Sequence, residues 1–256
     1  MNRSPGLQRK IIMPALAAAL LAVPVSNCAS IDTPAAKLQA LWTVGIVSAI
    51  GDEFTLTNAG LTGFADSDQR FSIQPWGIDD LIVRRTAAPL GKHFQVQPVT
   101  YRRASFAARE QDPPIAGMKM LRDDPIKELV RTQVLPQGLD GYLTITKATS
   151  TYGSRSRTVT GLGIIRTGAM FGSYAELYAL YEIRLIDGHK FEVIDKRTAI
   201  PLNSDEMVRL AGPSRLIDDT LLPTANEPER NEQLKGALTD LVERSLVATL
   251  QHLRLD

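Results

Sequence analysis

The chain has 256 residues, 44% hydrophobic and 22% charged, with 29 basic against 28 acidic side chains and a net charge of +1. That balance excludes a global electrostatic pull towards nucleic acid or membrane, and the length is ample for a packed core. A single cysteine excludes an internal disulfide framework and a multi-cysteine metal site.

The first thirty residues read as a targeting segment. Met1–Lys10 carries Arg3, Arg9 and Lys10 with no acid, and residues 11–25 form an apolar run broken by Pro14 and Pro24. Small residues follow at Ser26, Cys28, Ala29 and Ser30. Basic, apolar and small regions in that order make an export signal, and the apolar part is short for a membrane-spanning helix. Val25-Ser26-Asn27-Cys28 resembles a bacterial lipobox, although Asn27 stands where a smaller residue is usual. The resemblance implies acylation of Cys28, which becomes the mature N-terminus. Ala29, in place of an aspartate, implies sorting to the outer membrane. Ordinary cleavage after Ser30 is the rival, and it discards Cys28. The destination is then the periplasm, in soluble form.

Residues 31–40 read as a tether and 41–256 as a single α/β domain. Residues 41–50 are an almost continuous apolar run, as expected of a strand buried on both faces. Gly51-Asp52 breaks it, and Phe54–Thr57 alternates as a second strand. A helix opens after Pro75-Trp76-Gly77 and runs to Ala88, with Asp79 and Asp80 in its first turn. Phe94–Val99 is strand-like, and Tyr101–Glu110 is polar. Asp124-Pro125 is a helix start, an aspartate N-cap followed by proline at the first helical position. Ile126, Leu129, Val130 and Val134 share that helix's inner face. Strands are expected within 139–149 and 158–166, and 203–228 reads as irregular. Leu234, Leu238, Leu241, Val242, Ser245, Thr249 and Leu253 form the stripe of a long C-terminal amphipathic helix.

The stretch from Ser173 to Pro201 reads as a long antiparallel hairpin turning at Asp187-Gly188. Charge pairing selects a register. A loop of Asp187–His189 sets Leu185 against Phe191, Ile183 against Val193 and Arg184 against Glu192. The competing three-residue loop opposes Arg184 to Lys190 and Glu182 to Glu192, two destabilising like-charge pairs.

Together these elements predict an α/β (α+β) fold, a mixed sheet with helices packed on it. The cysteine-bearing leader, the first buried strand, helix–strand–helix, a meander through Arg184-Leu185-Ile186-Asp187-Gly188 and a final helix resemble the curli-transport and penicillin-binding-protein-activator lipoproteins. That resemblance implies an anticodon-binding-domain-like α/β fold. The long alternating hairpins of a curli-type pore are missing from the sequence, so a pore is not expected.

Motifs for chemistry are sparse. His93, His189 and His252 are far apart in sequence, and no metal or cofactor is expected. Gly153-Ser154-Arg155-Ser156 lacks the spacing of a nucleophile elbow. Residues 161–168 lack the spacing of a dinucleotide loop, so Gly161 reads as a site of close backbone packing or a bulge. Asp52, Glu53, Asp79 and Asp80 either converge as a general acid/base set or serve turns and the helix start.

Two stretches read as contact surfaces for an envelope protein or an anionic envelope component. One is the hydroxyl-rich loop of residues 150–160 with Arg155 and Arg157; the other is the apolar pair Met170-Phe171. Nucleic acid is not an expected partner. The expected function is therefore non-catalytic binding in the bacterial envelope. The alternative is an envelope hydrolase with a non-local Ser/His/Asp or paired-acid site.

Overall fold

Apart from Thr43 and Ser48, residues 43–49 carry no polar side chain on either alternating face, and this is why β1 (Thr43–Ala49) sits inside a sheet with both sides covered. The structure is a computed structural model that describes residues 33–59, 67–107, 124–152, 157–169, 172–202, 210–223 and 231–255. Thr33–Asp256 makes one compact unit. The first sheet also contains β4 (Gln95–Gln97), β5 (Gly141–Lys147), β10 (Tyr181–Asp187) and β11 (Val193–Thr198), in the order β11-β10-β5-β1-β4. β1 runs parallel to β4 and β5, whereas β10 is antiparallel to β5 and β11.

The second sheet contains β2 (Glu53–Ala59), β3 (Ser67–Ser72), β8 (Leu162–Ala169), β9 (Gly172–Ala179) and β12 (Ser214–Ile217). Its order is β12-β9-β8-β2-β3, with β2 parallel to β8 and the other pairs antiparallel. β6 (Thr149–Tyr152) and β7 (Arg157–Thr160) form a separate two-stranded hairpin.

The helices are α1 (Pro34–Gln39), α2 (Ile78–Leu90), α3 (Arg103–Ala107), α4 (Pro125–Gln133) and α5 (Glu232–His252). The largest core joins one face of both large sheets to α2 and α5, through residues such as Ile46, Phe54, Ile82, Leu177 and Leu241. The opposite face of the first sheet is covered by α3 and α4, and the opposite face of the second carries Tyr152 and Val159 of the hairpin. The mixed-sheet α/β class expected from the sequence is the class observed.

Two helices follow their sequence signals closely. Asp124 caps α4, its carboxylate accepting from Ile126 N at 3.0 Å. Asn231 caps α5 by accepting from Leu234 N at 2.9 Å. Ser245 and Thr249 interrupt the apolar stripe of α5 without cost because both are bonded: Ser245 Oγ lies 2.7 Å from Tyr181 Oη, and Thr249 Oγ1 accepts from Ile200 N. Burial pushes the Tyr181 phenol up, so it stays protonated.

Other expectations are corrected. Pro34–Gln39, read as tether, is a short helix capped by Thr33 and held by a Lys37–Glu192 ion pair at 3.4 Å. α2 continues to Leu90 with Pro89 in its last turn, where the missing N–H removes one helical bond, to the Arg85 carbonyl, and the helix ends one residue on. A short helix, α3, lies in the polar stretch after Tyr101, and β12 lies in the stretch read as irregular.

The hairpin register is also different. Arg184 is opposite Lys196, Leu185 opposite Asp195 and Ile186 opposite Val193, with a bulge between Leu185 and Ile186. The turn is wider than three residues: Asp187 N donates to Glu192 O, and Phe191 takes the left-handed conformation at φ 56°. Gly188 is needed for a different reason than turn type, since a Cβ there would stand 1.8 Å from Leu139 O.

The long first arm is not one strand. It breaks at Leu180, with β9 in the second sheet and β10 in the first. The strand expected at 158–166 breaks likewise at Gly161, between β7 and β8, and β5 gives way to β6 at Ala148. These three breaks meet. Ala148 N donates to Leu180 O (3.0 Å), Leu180 N to Gly161 O (2.7 Å), and Gly161 N to Ala148 O (3.1 Å). The closed ring of backbone bonds satisfies every group that leaving a ladder would orphan, and all three sheets radiate from it. Gly161 turns the corner at φ 69°, with its would-be Cβ 3.2 Å from the Lys147 side chain. Gly161→Val should therefore cost about 1–3 kcal/mol, read as a lower urea midpoint. Gly161→Asn, which tolerates this region, should cost less.

Candidate functional site

The main polar cluster in the described residues lies on the α4 side of the first sheet. Alternation along β10 sends Tyr181, Ile183 and Leu185 to the main core and Glu182 and Arg184 to the other face. Arg184 is only 2% exposed. Its Nε donates to Asp124 Oδ2 at 2.7 Å, Nη1 to Thr146 Oγ1 at 2.7 Å, and Nη2 to Glu182 Oε2 at 2.6 Å. Lys196 adds a second cation, 3.1 Å from Glu182 Oε1 and 3.5 Å from Asp124 Oδ2. Two cations thus face two carboxylates. Burial alone would raise the Asp124 pKa; the charge and hydrogen bond of Arg184, the Ile126 N–H and Lys196 outweigh it and hold the carboxyl below its usual value. The arrangement pins the start of α4 to β10.

A second cluster is at the sheet end where β1 and β5 begin. Asp140 Oδ2 accepts from Thr43 N (2.8 Å), Thr43 Oγ1 (2.8 Å) and Trp42 N (3.1 Å), while Oδ1 lies 3.3 Å from His189 Nε2. The Thr43 N–H bond leads the contacts that hold the Asp140 carboxyl low. His189 is 66% exposed, and Trp42, whose backbone also meets Asp140, is 67% exposed. A histidine and an aspartate here have a threonine hydroxyl nearby, but that hydroxyl is bonded to Asp140 itself, so it is not poised as a nucleophile.

The acids considered as a catalytic set do not converge. Asp79 is buried and accepts from Ser48 Oγ, Ile50 N and Gly51 N. Asp80 pairs with Arg103, Glu53 with Arg70, and Asp52 Oδ1 lies 2.7 Å from Lys147 Nζ. The three histidines stand apart: His93 edges Phe94, His189 meets Asp140, and His252 Nδ1 lies 3.1 Å from Ala248 O near the end of α5. Among the described residues no group of His, Cys, Asp or Glu could hold a metal ion. None of their helices is long and apolar enough to cross a membrane.

Of the residues expected to make contacts, Cys28, Arg155, Met170 and Phe171 lie outside the described residues. Met170 and Phe171 fall between Ala169 and Gly172, which pair across β8 and β9. Arg157 is the first residue of β7, half-buried opposite Tyr152. The hydroxyls around it have structural uses: Thr149 Oγ1 lies 3.0 Å from Thr160 Oγ1, and Ser150 Oγ accepts from Ala211 N at 2.8 Å. Thr151 and Thr158 are the exposed cross-strand pair. Burial pushes the Tyr152 phenol up to about 12.

The Arg184 cluster escaped sequence reasoning. Its one local signal is a glutamate and an arginine two positions apart in an otherwise apolar strand, which places both on one face. No protein-family model matches the chain, and no curated protein matches it.

Proposed function

We propose that the chain is an exported, non-catalytic envelope protein, held at a membrane through acylated Cys28, that binds another envelope component through its β6–β7 hairpin. The observation that carries this reading is the hairpin's independence. It belongs to neither large sheet, its root is fixed by the ring of backbone bonds at Ala148, Gly161 and Leu180, and it turns Thr151 and Thr158 outward. Contact loops carried on a rigid scaffold commonly bear function. The buried acids described above, by contrast, are bonded into the fold and offer no free proton-transfer group. The resemblance to penicillin-binding-protein-activator lipoproteins belongs to the same proposal and suggests the partner class, an envelope protein or an anionic envelope component.

A photo-crosslinking side chain at Thr151, used in intact cells and followed by mass spectrometry, should capture one discrete partner. Replacing Arg155 and Arg157 with alanine should weaken that capture while costing under about 1 kcal/mol of stability. The loss should be greater at low salt, where guanidinium contacts are least screened. Capture that is unchanged in a folded double variant would move the contact surface away from the hairpin. Turnover of an envelope ester, peptide or glycan by the purified protein would overturn the non-catalytic reading.

A further inference from the structure

We propose that the corner formed by α1, Trp42 and the 187–190 turn rests against the lipid surface, with the Trp42 indole at the boundary of headgroups and acyl chains. This rests on the acylated Cys28 of the proposed function. The first argument is reach. Cys28 and Thr33, the first described residue, are five positions apart, and five extended residues span at most about 18 Å. α1 cannot extend that reach by peeling away without breaking contacts, because Lys37 is paired with Glu192 and Leu38 is packed on the main core. A lipid on Cys28 therefore brings this corner, and no distant face of the domain, to the bilayer.

The second argument is what the corner presents. Trp42 is 67% exposed, yet its backbone is fixed on both sides: its N–H donates to Asp140 Oδ2, and its carbonyl accepts from Gln95 N at 2.7 Å. The indole is thus held outward, away from the core. An amphipathic ring of this kind is favoured at a membrane interface.

The neighbouring charges agree. Asp140 and Asp187 are turned to the fold, Asp187 Oδ1 accepting from His189 N (2.8 Å) and Lys190 N (2.7 Å). The exposed groups of the turn are His189 and Lys190. The exposed acid of the corner, Glu192, is paired with Lys37, so the outward aromatic and basic groups of Trp42, His189 and Lys190 are left to meet anionic headgroups. One tryptophan gives weak lipid contact alone, but a five-residue tether raises its effective concentration enough to keep it engaged.

The geometry also separates the two proposed contacts. β5 begins beside Asp140 and ends at Lys147, at the root of the β6–β7 hairpin. Its seven residues span about 20 Å, so the hairpin springs from the end of the sheet opposite the lipid.

The chain has two tryptophans, and Trp76 is buried against Phe54, so fluorescence can separate them. Full-length protein processed in cells is reconstituted into phosphatidylethanolamine–phosphatidylglycerol vesicles whose acyl chains are brominated. In Trp76→Phe protein the Trp42 emission should be quenched and blue-shifted. In Trp42→Phe protein the Trp76 emission should be unchanged. Cys28→Ala protein, mixed with the same vesicles, should lose the quenching because the tether is gone. Acylated, vesicle-bound protein with unquenched Trp42 overturns the inference and leaves the anchor standing. A wild-type chain whose intact mass shows no acyl group overturns the anchor and the inference together.

Discussion

Arg184→Ala should destabilise the protein by about 3–5 kcal/mol, the usual cost of breaking a buried ion pair from one side, measured by urea unfolding at neutral pH. The variant leaves Asp124 and Glu182 facing each other without the buried guanidinium between them, and Lys196, which pairs with both, is 43% exposed. Thr146 Oγ1 loses its donor as well. The damage belongs to the two carboxylates left with less compensating charge in a buried site more than to any intrinsic worth of the pair. Replacing the cluster together, with Arg184→Met, Glu182→Leu and Asp124→Asn (which retains the helix cap), should recover most of the loss. The pH dependence gives a second check. Asp124 titrates below the unfolded value of 3.8 in the native protein. A depressed native pKa contributes stability above the unfolded value, and that contribution fades as pH falls through the native one. The gap between wild type and Arg184→Ala should thus be flat from neutrality down to about pH 4 and narrow below it. A gap that persists undiminished in acid would mean that Arg184 acts through packing of its stem rather than through Asp124.

The same cluster shows why the hairpin register was not legible. A cross-strand argument forbids Arg184 opposite Lys196, since like charges directly opposed repel. The fold permits it because both cations face Glu182 and Asp124, and Asp124 arrives from 60 positions upstream on the cap of α4. Pairwise reasoning along one hairpin had no access to that third element. The break at Leu180 was equally silent: apolar residues stand on both sides, and the change of sheet comes from backbone bonds to Ala148 and Gly161.

Features governed by neighbouring residues were legible. The Asp124-Pro125 start, the stripe of α5 and the doubly buried β1 all follow from local spacing. Gly161 was recognisable as a site of close backbone packing or a bulge, although nothing nearby reveals its positive φ or that three strands turn there. For the contact residues, the sequence offers composition alone. Arg157 looked like a loop cation, and its place at the start of β7 depends on a pairing with Tyr152 across the hairpin.

Asp79→Ala should be comparably damaging to the loss of Arg184, at about 2–6 kcal/mol, because it orphans two buried backbone donors at about 1–3 kcal/mol each. Asp79 Oδ1 accepts from Ile50 N at 2.8 Å and Ser48 Oγ at 2.7 Å, and Oδ2 accepts from Gly51 N at 3.2 Å. Ser48 can rotate its hydroxyl elsewhere, but the two amides cannot. Asp79 is only 5% exposed and sits in the first turn of α2, where the helix dipole favours negative charge. Its position makes the loss more than local. Residues 50–52 carry the chain from β1 in the first sheet to β2 in the second, so Asp79 fastens α2 to the crossing. Gly51 has no room to adapt, since a Cβ there would meet Ile78 Cβ at 2.8 Å. Hydrogen exchange at Ile50 and Gly51 should quicken in Asp79→Ala under conditions where β5 amides stay protected. Asp79→Asn should fall between wild type and alanine: its carbonyl keeps Ile50 and Ser48, while its amide meets the Gly51 N–H donor to donor. Asp80→Ala, which removes only an exposed partner of Arg103, should cost under about 1 kcal/mol. If the two alanine variants are equally mild, the crossing is held by the packing of Ile50 and Ile78, and Asp79 is incidental to it.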